Sequence, residues 1–139
     1  MRVLSPIHLR ILDEIASSEF GVSFNVLAER LKGKVSRVTL SREIKKLIKL
    51  RLIDVIPDPS HKQRLFYRAR DEVKRLVEDF RVVKTSNIDQ ILTNMASLLR
   101  SYARKVKEIR NEALRDYMKY LILEFLKESL ILLEDENNG

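Results

Sequence analysis

With 139 residues, 45% of them hydrophobic and 34% charged, the chain has the size of one domain and can bury a core without covalent staples. It has no cysteine, which excludes disulfides, thiolate zinc sites and a cysteine nucleophile and agrees with a reducing cytoplasm. The net charge of +7 is uneven: residues 1–85 carry 19 Lys+Arg against 11 Asp+Glu, residues 86–139 carry 8 against 9, and Arg30–Arg51 alone holds nine basic residues and one acid, Glu43. That density exceeds what solubility needs and suits a polyanion whose counterions can be released.

Glycine occurs only at 21, 33 and 139 and proline only at 6, 57 and 59, so the first half turns often and the second half reads as nearly unbroken helix. Ser5 caps a first helix with Pro6 at its opening position, and Ile7, Ile11, Leu12 and Ile15 form its apolar stripe. Glu19-Phe20-Gly21-Val22 ends it, with Val22 available as a short pairing strand. Ser23 caps a second helix that turns Val26, Leu27 and Leu31 inward, and Gly33 supplies the left-handed residue that closes it. Ser36 caps a third helix, 36–51, in which Leu40, Ile44, Leu47 and Ile48 fall in one narrow sector.

The period then changes. Leu52-Ile53-Asp54-Val55-Ile56 reads as a strand, Pro57-Asp58-Pro59-Ser60 as a turn, and Leu65-Phe66-Tyr67 as the returning strand of a wing over 57–67, with His61-Lys62-Gln63-Arg64 as its basic tip. Asp71 starts a fourth helix with Val73, Leu76, Val77 and Phe80 inward. From Ile88 the apolar positions Leu92, Met95, Leu99, Tyr102, Val106, Ile109 and Ala113 recur every 3.5 residues on average, the spacing of a coiled-coil seam. Beyond Ala113 the apolar face widens through Tyr117, Leu121 and Phe125. Either Asn111 caps a second helix there or one helix runs straight through. The 14-residue apolar stretch Tyr120–Leu133 contains Glu124, Lys127 and Glu128, and falls short of the roughly 20 apolar residues a spanning helix needs.

These elements give a mainly α fold with a small β-wing: a winged helix-turn-helix over 1–85, followed by a long helical, coiled-coil-like dimerisation arm over 86–139. A groove-reading helix needs a scaffold helix behind it and donors on its outer face. The third helix meets that demand with Val38, Thr39, Arg42, Lys46 and Lys49 on the face opposite its core. Arg42 has the fork that fits guanine O6 and N7, and Thr39 suits a thymine methyl or a base edge. Lys34, Ser36 and Arg37 at the helix start, with Lys45, Lys46 and Lys49 further along, suit phosphates, which position without specifying. Lys62, Gln63 and Arg64 offer a second contact from the wing. Leu92, Met95, Leu99, Tyr102, Val106, Ile109, Tyr117, Leu121 and Phe125 are the expected dimerisation residues.

Val26-Leu27-Ala28-Glu29-Arg30-Leu31, followed by Val35-Ser36-Arg37-Val38-Thr39-Leu40-Ser41-Arg42-Glu43-Ile44-Lys45-Lys46-Leu47, resembles the scaffold-and-recognition-helix signature of prokaryotic winged-helix regulators. The continuation Leu52-Ile53, Pro57-Asp58-Pro59 and Arg64-Leu65-Phe66-Tyr67 is similar to the wing of MarR-like regulators, and the resemblance covers about residues 5–80. It implies that Thr39 and Arg42 read bases and that Arg64 reaches the minor groove, and it allows a small-molecule effector, which no residue here requires. Two positions depart from the family pattern. Arg51 stands where glycine usually precedes the Leu-Ile of the wing strand, and His61-Lys62-Gln63-Arg64 stands where an Asp-Arg pair is usual.

The reading is a homodimeric, nucleoid-associated cytoplasmic protein that binds double-stranded DNA as a transcriptional regulator. The alternatives are an architectural or DNA-segregation protein of low sequence specificity and a winged helix used for protein–protein interaction. No glycine-rich phosphate loop, metal-ligand spacing or nucleophile beside a histidine is present, so neither enzyme chemistry, a cofactor, a metal nor a membrane is expected. His8 and His61 are far apart, and Tyr102, Tyr117 and Tyr120 stand at packing positions. The abundance of Leu, Ile, Lys, Arg and Glu with few glycines leans towards a thermophile.

Overall fold

The structure, a computed structural model, describes residues 3–58, 60–80 and 87–138, with side chains other than those of 61–63 and 136–138. In chain order it contains α1 (Pro6–Ala16), β1 (Val22–Ser23), α2 (Phe24–Arg30), α3 (Arg37–Lys49), β2 (Ile53–Asp58), β3 (His61–Ala69), α4 (Asp71–Asp79), α5 (Ile88–Glu108) and α6 (Glu112–Asn138). The chain divides into two compact units, Met1–Arg75 and Leu76–Gly139.

In the first unit each helix starts where a serine satisfies a free backbone donor. Ser5 accepts from the His8 N–H, Ser23 from Val26 and Ser36 from Thr39. Gly33, at φ 84°, closes the turn after α2, where the Lys34 and Val35 N–H groups both donate to the Leu31 carbonyl. Val22 forms the expected short strand. The sheet is antiparallel with order β1-β3-β2, pairing Val22 with Tyr67 on one side and Val55 with Tyr67 on the other. Burial raises the Tyr67 hydroxyl above the ordinary tyrosine pKa.

Leu4, Ile11, Leu12, Ile15, Leu27, Leu31, Leu40, Leu47, Leu52 and Ile53 are almost wholly buried. Each contributes roughly 1.5–3 kcal/mol by leaving water, so this core fixes how α3 lies on α1. Three residues expected inside lie at its edge: Ile7 is 42% exposed, Val26 43% and Ile48 36%. The reason is geometric. The core-facing sector of α1 centres on His8, and that of α3 includes Glu43, two polar positions that a hydrophobic stripe passes over. With these positions included in each sector, Ile7 and Ile48 stand about a quarter turn or more from its centre.

The wing differs from expectation at its tip. Pro57 and Asp58, expected in the turn, continue β2, and His61–Arg64, expected as its connecting tip, already belong to β3. Asp58 Oδ1 accepts the Ser60 N–H at 2.8 Å, a local turn bond. The ladder jumps from Pro57↔Leu65 to Asp58↔His61, an irregularity beside a residue that has no N–H to donate. Pro59 and the side chains of His61, Lys62 and Gln63, named above as the turn and the basic tip, lie outside the described residues.

Arg51 adopts φ 61°, the left-handed region that favours glycine. Its N–H donates to the Ile48 carbonyl at 3.0 Å and the Leu52 N–H to Leu47 at 3.1 Å, the paired bonds of a Schellman closure of α3. Arg51→Gly is therefore expected to stabilise the fold by about 1 kcal/mol, raising Tm by about 2–8 °C. Arg51→Ala, which loses the same charge but keeps a Cβ, should not do so in thermal unfolding. Equal behaviour of the two variants would place the effect in the charge and not in the backbone.

In the second unit Lys105 meets the Asp79 carboxylate and lies 5.8 Å from the Phe80 ring centroid. Asn87 caps α5 by accepting the Gln90 N–H. Between α5 and α6 the chain breaks at 109–111, and Asn111 Oδ1 accepts the N–H groups of Ala113 at 3.0 Å and Leu114 at 3.2 Å. Asn111 is therefore a cap and not a helix interior. The short connection and the packing of α5 against α6 make an αα-hairpin, which decides between the two arrangements that the sequence leaves open.

Candidate nucleic-acid interface

The outer face of α3 carries a row of side chains set by helical spacing. Arg37, Val38, Ser41, Arg42 and Lys45 line one shallow depression, and Lys49 continues it one turn on. Val38 is 78% exposed, an unusual position for a β-branched apolar residue and one that leaves a methyl pair open to a partner. Ser41 on this face is half-buried, and a serine in a basic run carries no signal of its own in the sequence. The spacing Val38, Ser41/Arg42, Lys45 shows it in retrospect.

The donors differ in how free they are. Arg37 is tied down: its Nη2 donates to Asn25 Oδ1 at 2.7 Å and its guanidinium lies 5.2 Å from the Phe24 ring centroid. That leaves it anchored to α2, with its guanidinium beside the helix start. Thr39 is half-buried, its hydroxyl accepting from Ser36 Oγ at 3.0 Å while Ser36 Oγ accepts the Thr39 N–H at 3.2 Å. Arg42 Nε and Lys46 Nζ lie 3.3 and 3.8 Å from Glu43 Oε1. Lys34, Lys45 and Lys49 are exposed and form no ion pair among the described residues. The face therefore presents a methyl-bearing centre, one oriented fork and a flank of free ammonium groups, and no group of three metal-binding side chains occurs among the described residues.

Comparison with protein families supplies the assignment. Residues 4–64 match the model of the MarR family. This segment is a MarR-like winged helix. No curated protein matches the sequence. The match spans α1, β1, α2, α3 and β2 and enters β3, so the scaffold helix, the recognition helix and half of the wing lie within it. On the MarR-like winged helix Arg64 is exposed, and the backbone of Lys62 and Gln63 runs beside it in β3.

The second unit lies outside the matched segment, and its sequence-predicted residues divide into two sets. Tyr117 and Phe125 are buried in the single chain, at 0% and 3% exposure, and Met95, Tyr102, Val106, Ile109 and Leu121 are half-buried. Leu92 and Leu99 are exposed, together with Ile88 on α5 and Leu123, Leu130 and Ile131 on α6. Ile91, not Leu92, is the buried residue of the first turns of α5. The 3.5-residue seam thus runs along the edge of the face that packs in the hairpin, while Leu123 and Leu130 project largely opposite the buried side of α6. Among the described residues no helix is long and apolar enough to cross a membrane.

Proposed function

We propose that this protein is a dimeric DNA-binding transcriptional regulator that places α3 in the major groove and the wing against the neighbouring groove or backbone. The observation that carries the proposal is the outer face of α3 on a MarR-like winged helix: Val38 and Arg42 outward at its centre, alongside the ammonium groups of Lys45 and Lys49, which form no ion pair among the described residues. Arg42 is assigned to base edges, with Thr39 beside it; Lys34, Ser36, Arg37, Lys45, Lys46 and Lys49 are assigned to phosphates. DNA binding belongs to residues 1–85 and self-association to residues 86–139.

Self-association is supported by the leucines that the hairpin leaves uncovered. Leu92 is 50% exposed, Leu99 45%, Leu123 52% and Leu130 54%, on helices whose other faces are already packed. Several exposed leucines on one helical hairpin suit an interaction surface, and closed twofold symmetry makes a second copy the natural occupant. A dimer sets two recognition helices about 34 Å apart on one side of the duplex. The same electrostatic footprint also suits a protein that coats DNA with little preference, which binding-site selection distinguishes.

The reading is tested by titrating labelled duplex DNA at several salt concentrations. Affinity should fall steeply and linearly on a logarithmic scale as counterion release is lost. The wing contributes the smaller share: Lys62→Ala with Arg64→Ala should weaken binding severalfold while Tm moves by no more than a few degrees. Unchanged affinity in that variant would remove the wing from the interface and leave α3 as the sole contact.

A further inference from the structure

One acid stands in the basic run of α3, and it is buried. The Glu43 side chain is 8% exposed, and its two oxygens face in different directions. Oε1 accepts from Arg42 Nε at 3.3 Å, while Oε2 meets Nε2 of His8 on α1. His8 is equally buried, and these last two atoms have no other hydrogen-bond partner among the described residues. The Ser5 backbone N–H donates to His8 Nδ1 at 3.1 Å, so Nδ1 is an acceptor. In the neutral ring the proton then sits on Nε2, aimed at Glu43. A chain of contacts runs from the N-cap of α1 through His8 and Glu43 to Arg42.

Stability is a weak reason to keep such a pair, since buried polar pairs are commonly replaced by apolar residues at no loss. A negative charge under a DNA-facing surface is also unfavourable to phosphate. The contact does change Arg42. An arginine whose Nε is held keeps Nη1 and Nη2 free and its guanidinium pointing end-on, whereas a loose one must be ordered when it binds.

We propose that Glu43, held by His8, is a positioning residue that presets Arg42 for base reading. This rests on the DNA-binding reading above. Glu43→Gln replaces one of the two carboxylate oxygens with an NH2 donor, so it cannot accept at both the His8 side and the Arg42 side. In the full-length protein it should lower preference for a selected duplex over a random one by about two- to tenfold, the scale of ordering one long side chain. In an Arg42→Ala background the same change should leave preference unmoved, because the residue through which it acts is gone. The double variant His8→Leu with Glu43→Leu provides a fold-preserving check: it should unfold no earlier than wild type and still lose preference. Additive losses in the cycle, or a double-leucine variant that keeps both Tm and preference, would reduce the pair to a packing contact and overturn the proposal. A wild-type protein with no affinity for duplex DNA would overturn the DNA-binding reading together with it.

Discussion

Arg42→Ala is expected to weaken binding to a preferred duplex by about 1–3 kcal/mol and to flatten base preference at the position that Arg42 reads, whereas Lys49→Ala should weaken binding to every sequence alike. The two residues sit on the same exposed face of α3 and differ in what constrains them. The Arg42 guanidinium is fixed through Nε against a buried carboxylate, and its planar fork matches the two acceptors of a guanine edge. Lys49 is a mobile point charge in the last turn, with no ion pair among the described residues. Its loss should lower the slope of log affinity against log salt by about 1, one phosphate contact fewer, and leave the ratio between preferred and random DNA intact. Measuring both variants on both duplexes at three salt concentrations separates the terms. Equal losses on preferred and random DNA for both variants would place α3 against the backbone only.

The arm should show the second large effect. Leu92→Glu with Leu99→Glu is expected to convert a dimer to monomers with its helix content intact, and to lower DNA affinity by about 100-fold or more, since two linked half-site contacts become one. These positions are chosen because they are exposed in the single chain, so two charges there leave the hairpin core untouched. Phe125→Glu or a charge at Tyr117 would instead bury an unpaired carboxylate inside the hairpin, and the outcome would report unfolding. Light scattering and circular dichroism on one sample, followed by DNA titration, read all three quantities. A wild type that remains monomeric at micromolar concentration while binding DNA tightly would make the exposed leucines irrelevant to function.

Much of this architecture is legible from residue patterns because the signals are local. Ser5, Ser23 and Ser36 announce helix starts through the donors they satisfy, Gly33 announces a left-handed closure, and the change from helical to alternating period at Leu52 announces the wing. The outer face of α3 follows from the same spacing that defines its inner face. What the pattern hides is long-range. Hydrophobicity alone places helix faces at the centre of the apolar residues, so it passes over His8 and Glu43, which are inside only because each is the other's partner across two helices. At the wing, Pro57 and Asp58 continue β2 and His61–Arg64 join β3, because pairing with the opposite strand sets where each strand ends and turn propensity alone does not. The 3.5-residue spacing suggests a single seam, yet a helix with apolar residues on two adjacent sectors satisfies a hairpin with one sector and leaves the other exposed. Arg51 is the converse case: the departure from a usual glycine was visible in the sequence, and the left-handed backbone shows that the conformation persists without it.

The central claim is that a paired α3 reads a specific DNA sequence, and selection of bound molecules from a pool of random duplex DNA tests it most directly. The account predicts enrichment of a near-palindrome whose half-sites are centred about one helical turn apart, with a guanine at the position that Arg42→Ala ceases to select. A pool that binds the wild-type protein but emerges with no enriched sequence would contradict it, and would make this chain a DNA-coating protein in place of a regulator.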